Sequence, residues 1–148
     1  MYKRILFFLF ILFLWFISSI FFPFDKGFYL SLNLPFLLPN SLFIIMWFII
    51  YILNTISYYY LFKEYDLDND YYFILILNYL FNQSFSLFFS YLHNILLSLI
   101  IIIANTVSSY FLFIENKKIN KTISYLTIPY LIWNGILLLL FIIIFIIN

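Results

Sequence analysis

Five apolar stretches, each close to the roughly 20 residues that carry a helix across a bilayer, follow one another in this chain with only short breaks between them. They run Ile5–Phe22, Leu42–Phe62, Tyr71–Tyr91, Ile95–Ile114 and Ile123–Ile147. A spanning segment must satisfy its own backbone hydrogen bonds, so runs of this length read as helices. None of the breaks is long enough to fold alone. The expectation is an all-α membrane protein: one transmembrane domain over residues 1–148, a five-helix bundle, with a folded loop at 23–40 between helices 1 and 2. Composition agrees. Of 148 residues 67% are hydrophobic, 26% aromatic and only 9% charged, more apolar surface than a soluble domain of this size can hide.

The opening Met1-Tyr-Lys-Arg before an apolar run imitates a secretory signal, with Ser18-Ser19 as a weak cleavage-like pair. The run exceeds the usual signal core of about 7–15 residues, so a retained first helix is expected. Cationic residues in short loops set orientation. Lys3, Arg4, Lys63, Lys117, Lys118 and Lys121 fall on the N-terminal side of the membrane, and Lys26 alone falls on the other. This pattern predicts a multi-pass cell-membrane protein with a cytoplasmic N-terminus and an external C-terminus.

Several function classes drop out. The formal net charge is +1 and no basic patch exists, so nucleic acid is not an expected partner. Cysteine is absent, and His93 is the sole histidine, placed in a turn and read as solvated. No metal site, catalytic constellation or cofactor motif is present in the sequence. The acidic run Asp66-Leu-Asp-Asn-Asp70 lacks the spacing and closing Glu of a calcium loop. No carboxylate lies within a span, which argues against a proton-coupled pump.

What remains is amides and aromatics. The third span has no charge from Tyr71 to Tyr91, yet carries Asn78, Asn82, Gln83, Ser86 and Ser90. An amide in hydrocarbon must find a partner or cost free energy, so this stripe is either helix–helix glue or a cavity wall. Four-residue steps keep it on one side of the helix. The second span presents Trp47, Tyr51, Asn54 and Tyr58 at helical spacing, and Tyr58–Tyr60 suit the aromatic belt at the interface. The fourth span carries Ser98, Asn105, Thr106, Ser108 and Ser109 and reads as a packing helix. In the fifth, Tyr130, Trp133 and Leu137 share a side with Asn134 flanking, and Pro129 is expected to kink the span. The loop 23–40 holds Pro23, Pro35 and Pro39 among apolar residues, and is read as folded back onto the bundle.

In order along the chain, Tyr29-x-x-Leu-x-x-Pro35, Trp47-x-x-x-Tyr51, Leu77-Asn-x-x-x-Asn-Gln83 and Pro129-Tyr-x-x-Trp133 resemble the TspO/MBR family (translocator protein, peripheral benzodiazepine receptor, tryptophan-rich sensory protein), most of all its bacterial members. The resemblance covers about Ser18 to Trp133. It implies five helices around a ligand pocket with the first loop over its mouth, lipid as surroundings, and a homodimer. It implies a porphyrin or haem-like tetrapyrrole as ligand, not a resident cofactor, held for sensing, sequestration or transport. By position it implies ligand contact for Tyr29, Trp47, Asn78, Asn82 and Trp133. Phe28 and Leu37 stand where the family usually has tryptophan, and the sterol-recognition pattern of animal members is missing. Two other readings stay open: light-dependent porphyrin degradation in the same pocket, and a structural subunit whose amides only join helices. Asn82 is the better placed for ligand, Gln83, about 100° away, for a neighbouring helix, and Asn78 for either.

Overall fold

The computed structural model describes residues 2–34 and 38–148, and among these the regular structure is helical. The helices are α1 (Tyr2–Phe21), α2 (Lys26–Ser31), α3 (Asn40–Glu64), α4 (Asn69–Ser86, continued by a π-helical turn Leu87–Tyr91), α5 (Ile95–Ile119), α6 (Lys121–Leu126) and α7 (Ile128–Ile147). Among the described residues, five segments are long and apolar enough to cross a membrane: α1, α3, α4 with its π turn, α5, and α6 with α7. They close a ring. α1 packs on α3 and α4, α4 on α5, α5 on α6 and α7, and these two return to α3.

The ring buries amides and hydroxyls among aromatic and aliphatic side chains, and its outer face is apolar. Asn54, Asn78, Asn82, Asn105 and Asn134 are buried, while Phe10, Phe48, Phe73, Ile100 and Ile146 face outward. Lipid tails are as apolar as leucine, so burying such a side chain gains little. Close packing and interhelical hydrogen bonds must hold the bundle instead.

Local chemistry sets the helix ends. Asp25, Asp68 and Asn94 cap α2, α4 and α5 by accepting from the amides of Phe28, Tyr71 and Leu97 at 2.7–2.9 Å. Asn120 ends α5 and caps α6, accepting from Thr122 N at 2.8 Å and Ile123 N at 3.1 Å. The expected kink at Pro129 is corrected: the break falls at Thr127, and Pro129 lies in the first turn of α7. There the missing N–H is no loss and the fixed φ suits the helix.

The loop between α1 and α3 is a lid containing a helix. Tyr29 of α2 has no exposed surface. Phe24 stacks on Phe43 of α3 at 5.0 Å, and Phe28 lies 5.3 Å from Phe89. Asn33 N donates to Asn148 Oδ1 at 2.8 Å and Asn148 Nδ2 donates to Asn33 O at 3.0 Å, clasping the lid to the end of α7. His93, read from sequence as a solvated turn residue, is exposed in its turn and also makes a second fastening: its Nε2 lies 3.0 Å from Asp25 Oδ2 and its ring stacks on Phe28 at 4.3 Å. Its φ of 52° turns the chain from α4 into α5. Pro35 and Leu37, part of the lid pattern, lie outside the described residues.

Tyr58 is a further correction. It is buried and stacks on Trp15 at 5.8 Å, so the belt reading fails for it and fits only the exposed Tyr60. The face Trp47–Tyr51–Asn54–Tyr58 points inward, where aromatic stacking outweighs anchoring at the interface.

Candidate functional site

A cavity of about 320 Å3 lies beneath the lid, between α1, α3 and α4. Its aromatic walls are Phe24 of the lid, Phe43, Trp47, Phe48 and Tyr51 of α3, and Phe85 of α4. Asn82, Ser86 and Ser90 supply polar atoms along the α4 side. The π turn matters here. Leu92 N bonds Leu87 O at 2.9 Å, five residues back, so the last turn of the span is widened beside Ser86 and Ser90.

Asn82 is the link between the cavity and the core. Its Oδ1 accepts from Tyr51 Oη at 3.3 Å, and its Nδ2 donates to Tyr130 Oη at 3.4 Å. The Tyr130 hydroxyl lies 2.9 Å from Asn105 Oδ1 and 3.1 Å from Asn78 Oδ1, and donates its one proton to one of them. Asn78 Nδ2 faces Ser108 Oγ at 2.9 Å and Asn105 Oδ1 at 3.1 Å. Asn105 donates on to Asn134 at 3.2 Å, and Asn134 to Ser109 at 3.2 Å. One network thus runs from the cavity wall through α4 and α7 to the seam between α5 and α7.

The sequence-derived residues separate into three places. Trp47 and Asn82 line the cavity. Asn78 sits behind Asn82, enclosed by α5 and α7, with no face on the cavity. Tyr29 and Trp133 lie behind Phe43, whose ring meets theirs edge-on at 5.3 and 5.7 Å. Among the described residues, the Tyr29 hydroxyl and Trp133 Nε1 are two of the buried donors without a hydrogen-bond partner, Ser18, Asn54, Ser57 and Asn116 holding others. The Tyr29 hydroxyl faces the Leu38 backbone amide without closing a hydrogen bond, and burial pushes its pKa up. Gln83 turns to α1, accepting from Ser18 N at 2.9 Å and donating to Trp15 O at 3.3 Å.

Phe24 and Phe43 of the cavity wall, and Tyr130 of the network behind Asn82, were not given a site role from sequence. Tyr130 was visible as a polar-tipped aromatic on the inward side of the fifth span. Phe24 and Phe43 carry no signal among so many phenylalanines. Among the described residues, no group of three His, Asp or Glu side chains comes together to hold a metal.

A ring of membrane-spanning helices, closed at one end by a pinned lid over an aromatic cavity with an amide in its wall, defines a class of multi-pass membrane protein. The chain belongs to the TspO/MBR family, which it matches over residues 5–146. Relatives include the tryptophan-rich protein TspO of Bacillus cereus, 27% identical over 124 residues that cover 82% of this chain and 81% of the relative. The uncharacterized membrane protein YtaB of Bacillus subtilis is 30% identical over 117 residues, covering 77% and 76%.

Proposed function

We propose that this chain binds a porphyrin-like tetrapyrrole in the cavity beneath the lid and serves in sensing, sequestration or transport of that ligand. The observation that carries the reading is the pair of buried, unpartnered donors, Tyr29 Oη and Trp133 Nε1, on either side of Phe43. A buried donor left unpaired costs about 1–3 kcal/mol, and such groups in a native fold call for a reason. A ligand with acceptor atoms at its edge supplies one. Trp47 and Phe24 offer flat faces to a macrocycle, and Asn82 offers an amide whose present bonds are long.

The cavity is at the low end of the range for small-molecule sites, about 300–1,000 Å3. A flat macrocycle therefore enters by lifting the lid and turning Phe43 aside, which brings Tyr29 and Trp133 into contact with it. The cytoplasmic N-terminus read from the loop cations puts this mouth on the outer side.

Titration with protoporphyrin IX, followed by tryptophan quenching, tests the reading. Saturable quenching is expected, with Trp47→Phe and Asn82→Leu each weakening it about tenfold. Absence of saturation overturns binding. Saturation together with light-dependent loss of the porphyrin Soret band replaces carriage with degradation.

A further inference from the structure

At the end of the bundle away from the lid, two features of different chemistry meet. One is an open, shallow recess lined by Lys3, Arg4, Phe7, Tyr59 and Lys63. Three of the chain's seven Lys and Arg residues converge on it. Among the described residues Lys3 and Arg4 have no carboxylate partner, and Lys63 meets only Glu64, at 3.3 Å and exposed to solvent. Exposed pairs of that kind are weak and exchange readily.

The other is a crevice of about 190 Å3 between α1, α3 and α4, lined by Ile11, Leu14, Trp15, Phe62, Ile76 and Tyr79 among others. Its walls are apolar. The Tyr79 hydroxyl, which would break the pattern, donates to Leu14 O at 2.9 Å. The two features share a helix face. Lys3, Phe7, Ile11 and Leu14 recur along α1 at steps of four, four and three. Phe7 packs against both Tyr59 of the recess and Phe62 of the crevice, at 5.9 and 6.4 Å. At 1.5 Å per residue the stripe from Lys3 to Leu14 is about 16 Å long, close to half of a hydrocarbon core about 30 Å thick.

We propose that this end holds an anionic phospholipid, its phosphate among Lys3, Arg4 and Lys63 and one acyl chain in the crevice over Trp15. Topology alone accounts for cations at this end. It does not account for their gathering at the head of an α1 stripe that runs about one leaflet's depth to an apolar crevice. Arg and Lys both bind phosphate, Arg with a fork and Lys as a point charge, and Tyr59 adds a hydroxyl at headgroup depth.

The protein itself carries the control. Lys117, Lys118 and Lys121 lie at the same end on α5 and α6, whereas α1 packs on α3 and α4. Removing either trio changes the charge equally, but only the first empties the recess. The test uses the variant Trp47→Phe/Trp133→Phe, which keeps Trp15 as its sole tryptophan, in vesicles with brominated phosphatidylglycerol or brominated phosphatidylcholine. Trp15 should be quenched at a several-fold lower fraction of the anionic lipid. Lys3→Gln/Arg4→Gln/Lys63→Gln should abolish that preference, and Lys117→Gln/Lys118→Gln/Lys121→Gln should leave it. Equal quenching by both lipids means annular contact only and overturns the site. So does an equal loss in both triple variants, which would mark diffuse surface charge, or no loss in the first. Should the tryptophan variant not fold, lipid retention by the full chain in native mass spectrometry, with the same two triples, decides between the same outcomes.

Discussion

Two asparagines one turn apart on α4 carry different loads. Asn78 spends both ends of its amide on Asn105, Ser108 and Tyr130, at 2.9–3.1 Å for the close contacts. Asn82 holds Tyr51 and Tyr130 at 3.3 and 3.4 Å, near the outer limit for such bonds. The first is a tight junction of three helices, and the second has capacity to exchange partners. Asn78→Leu is expected to cost about 1–3 kcal/mol, because it leaves buried polar partners short of a bond. Asn82→Leu is expected to cost less than about 1 kcal/mol, since hydrogen bonds inside a membrane average about 0.6 and its own are long. Its main effect should fall on ligand affinity. Thermal unfolding of both variants in detergent, beside their protoporphyrin titrations, measures the contrast. The reverse order of stability would mean that the two residues have been assigned the wrong roles. The sequence placed both on one stripe and favoured Asn82 for ligand, but left Asn78 open between cavity and glue. A step of four residues turns the side chain by only about 40°. Which of two such neighbours meets a cavity depends on how α7 leans against α4, and that is a tertiary fact.

At the scale of elements, the spans were legible because length and apolarity decide them almost alone. The joints were harder to read. Pro129 in an apolar run reads as a kink, yet Thr127 takes the break, its N–H bonding Ser124 O at 3.0 Å, and the proline then starts α7. The π turn at Leu87–Tyr91 has no proline or glycine to announce it. The lid helix is six residues long and depends on its cap and on packing beneath it. Its two fastenings were invisible because their partners are distant: Asp25 with His93, and Asn33 with Asn148. The Asp25 pair gives the lid a pH dependence. The Phe28 backbone N–H, then His93, hold the Asp25 carboxyl below the usual carboxylate range. A lowered folded-state pKa contributes stability fully above the ordinary value, about 3.9, and loses it as pH falls through the lowered one. Spin labels on Leu30→Cys and Leu92→Cys should therefore give one narrow distance from neutral pH down to about 5, broadening below about 4. Asp25→Asn keeps the helix cap, because asparagine caps as well as aspartate, and removes the titrating carboxyl. It should erase the acid-dependent step. A step that persists in Asp25→Asn would assign the dependence to another group.

For the whole molecule, orientation decides what the cavity can serve. The ring fixes which ends lie together: the start of α1, the end of α3, the end of α5 and the start of α6 share one side, and the lid occupies the other. Lys3, Arg4, Lys63, Lys117, Lys118 and Lys121 thus share a side, and Lys26 stands opposite them. The carboxylates of Glu64, Asp66, Asp68 and Asp70 also lie on the cation-rich side, but acidic residues weigh little in the insertion decision. On this balance the N-terminus is expected inside, with the lidded cavity opening outward. The absence of cysteine makes the check direct, since any introduced thiol is the sole one. Ser31 on the lid and Lys118 near the end of α5 are both exposed. In intact cells a membrane-impermeant maleimide should label Ser31→Cys, and should label Lys118→Cys only after permeabilisation. The opposite pattern would place the cavity mouth in the cytoplasm. It would turn the proposed ligand entry from outside into entry from within, with no change in the geometry of Trp47 and Asn82.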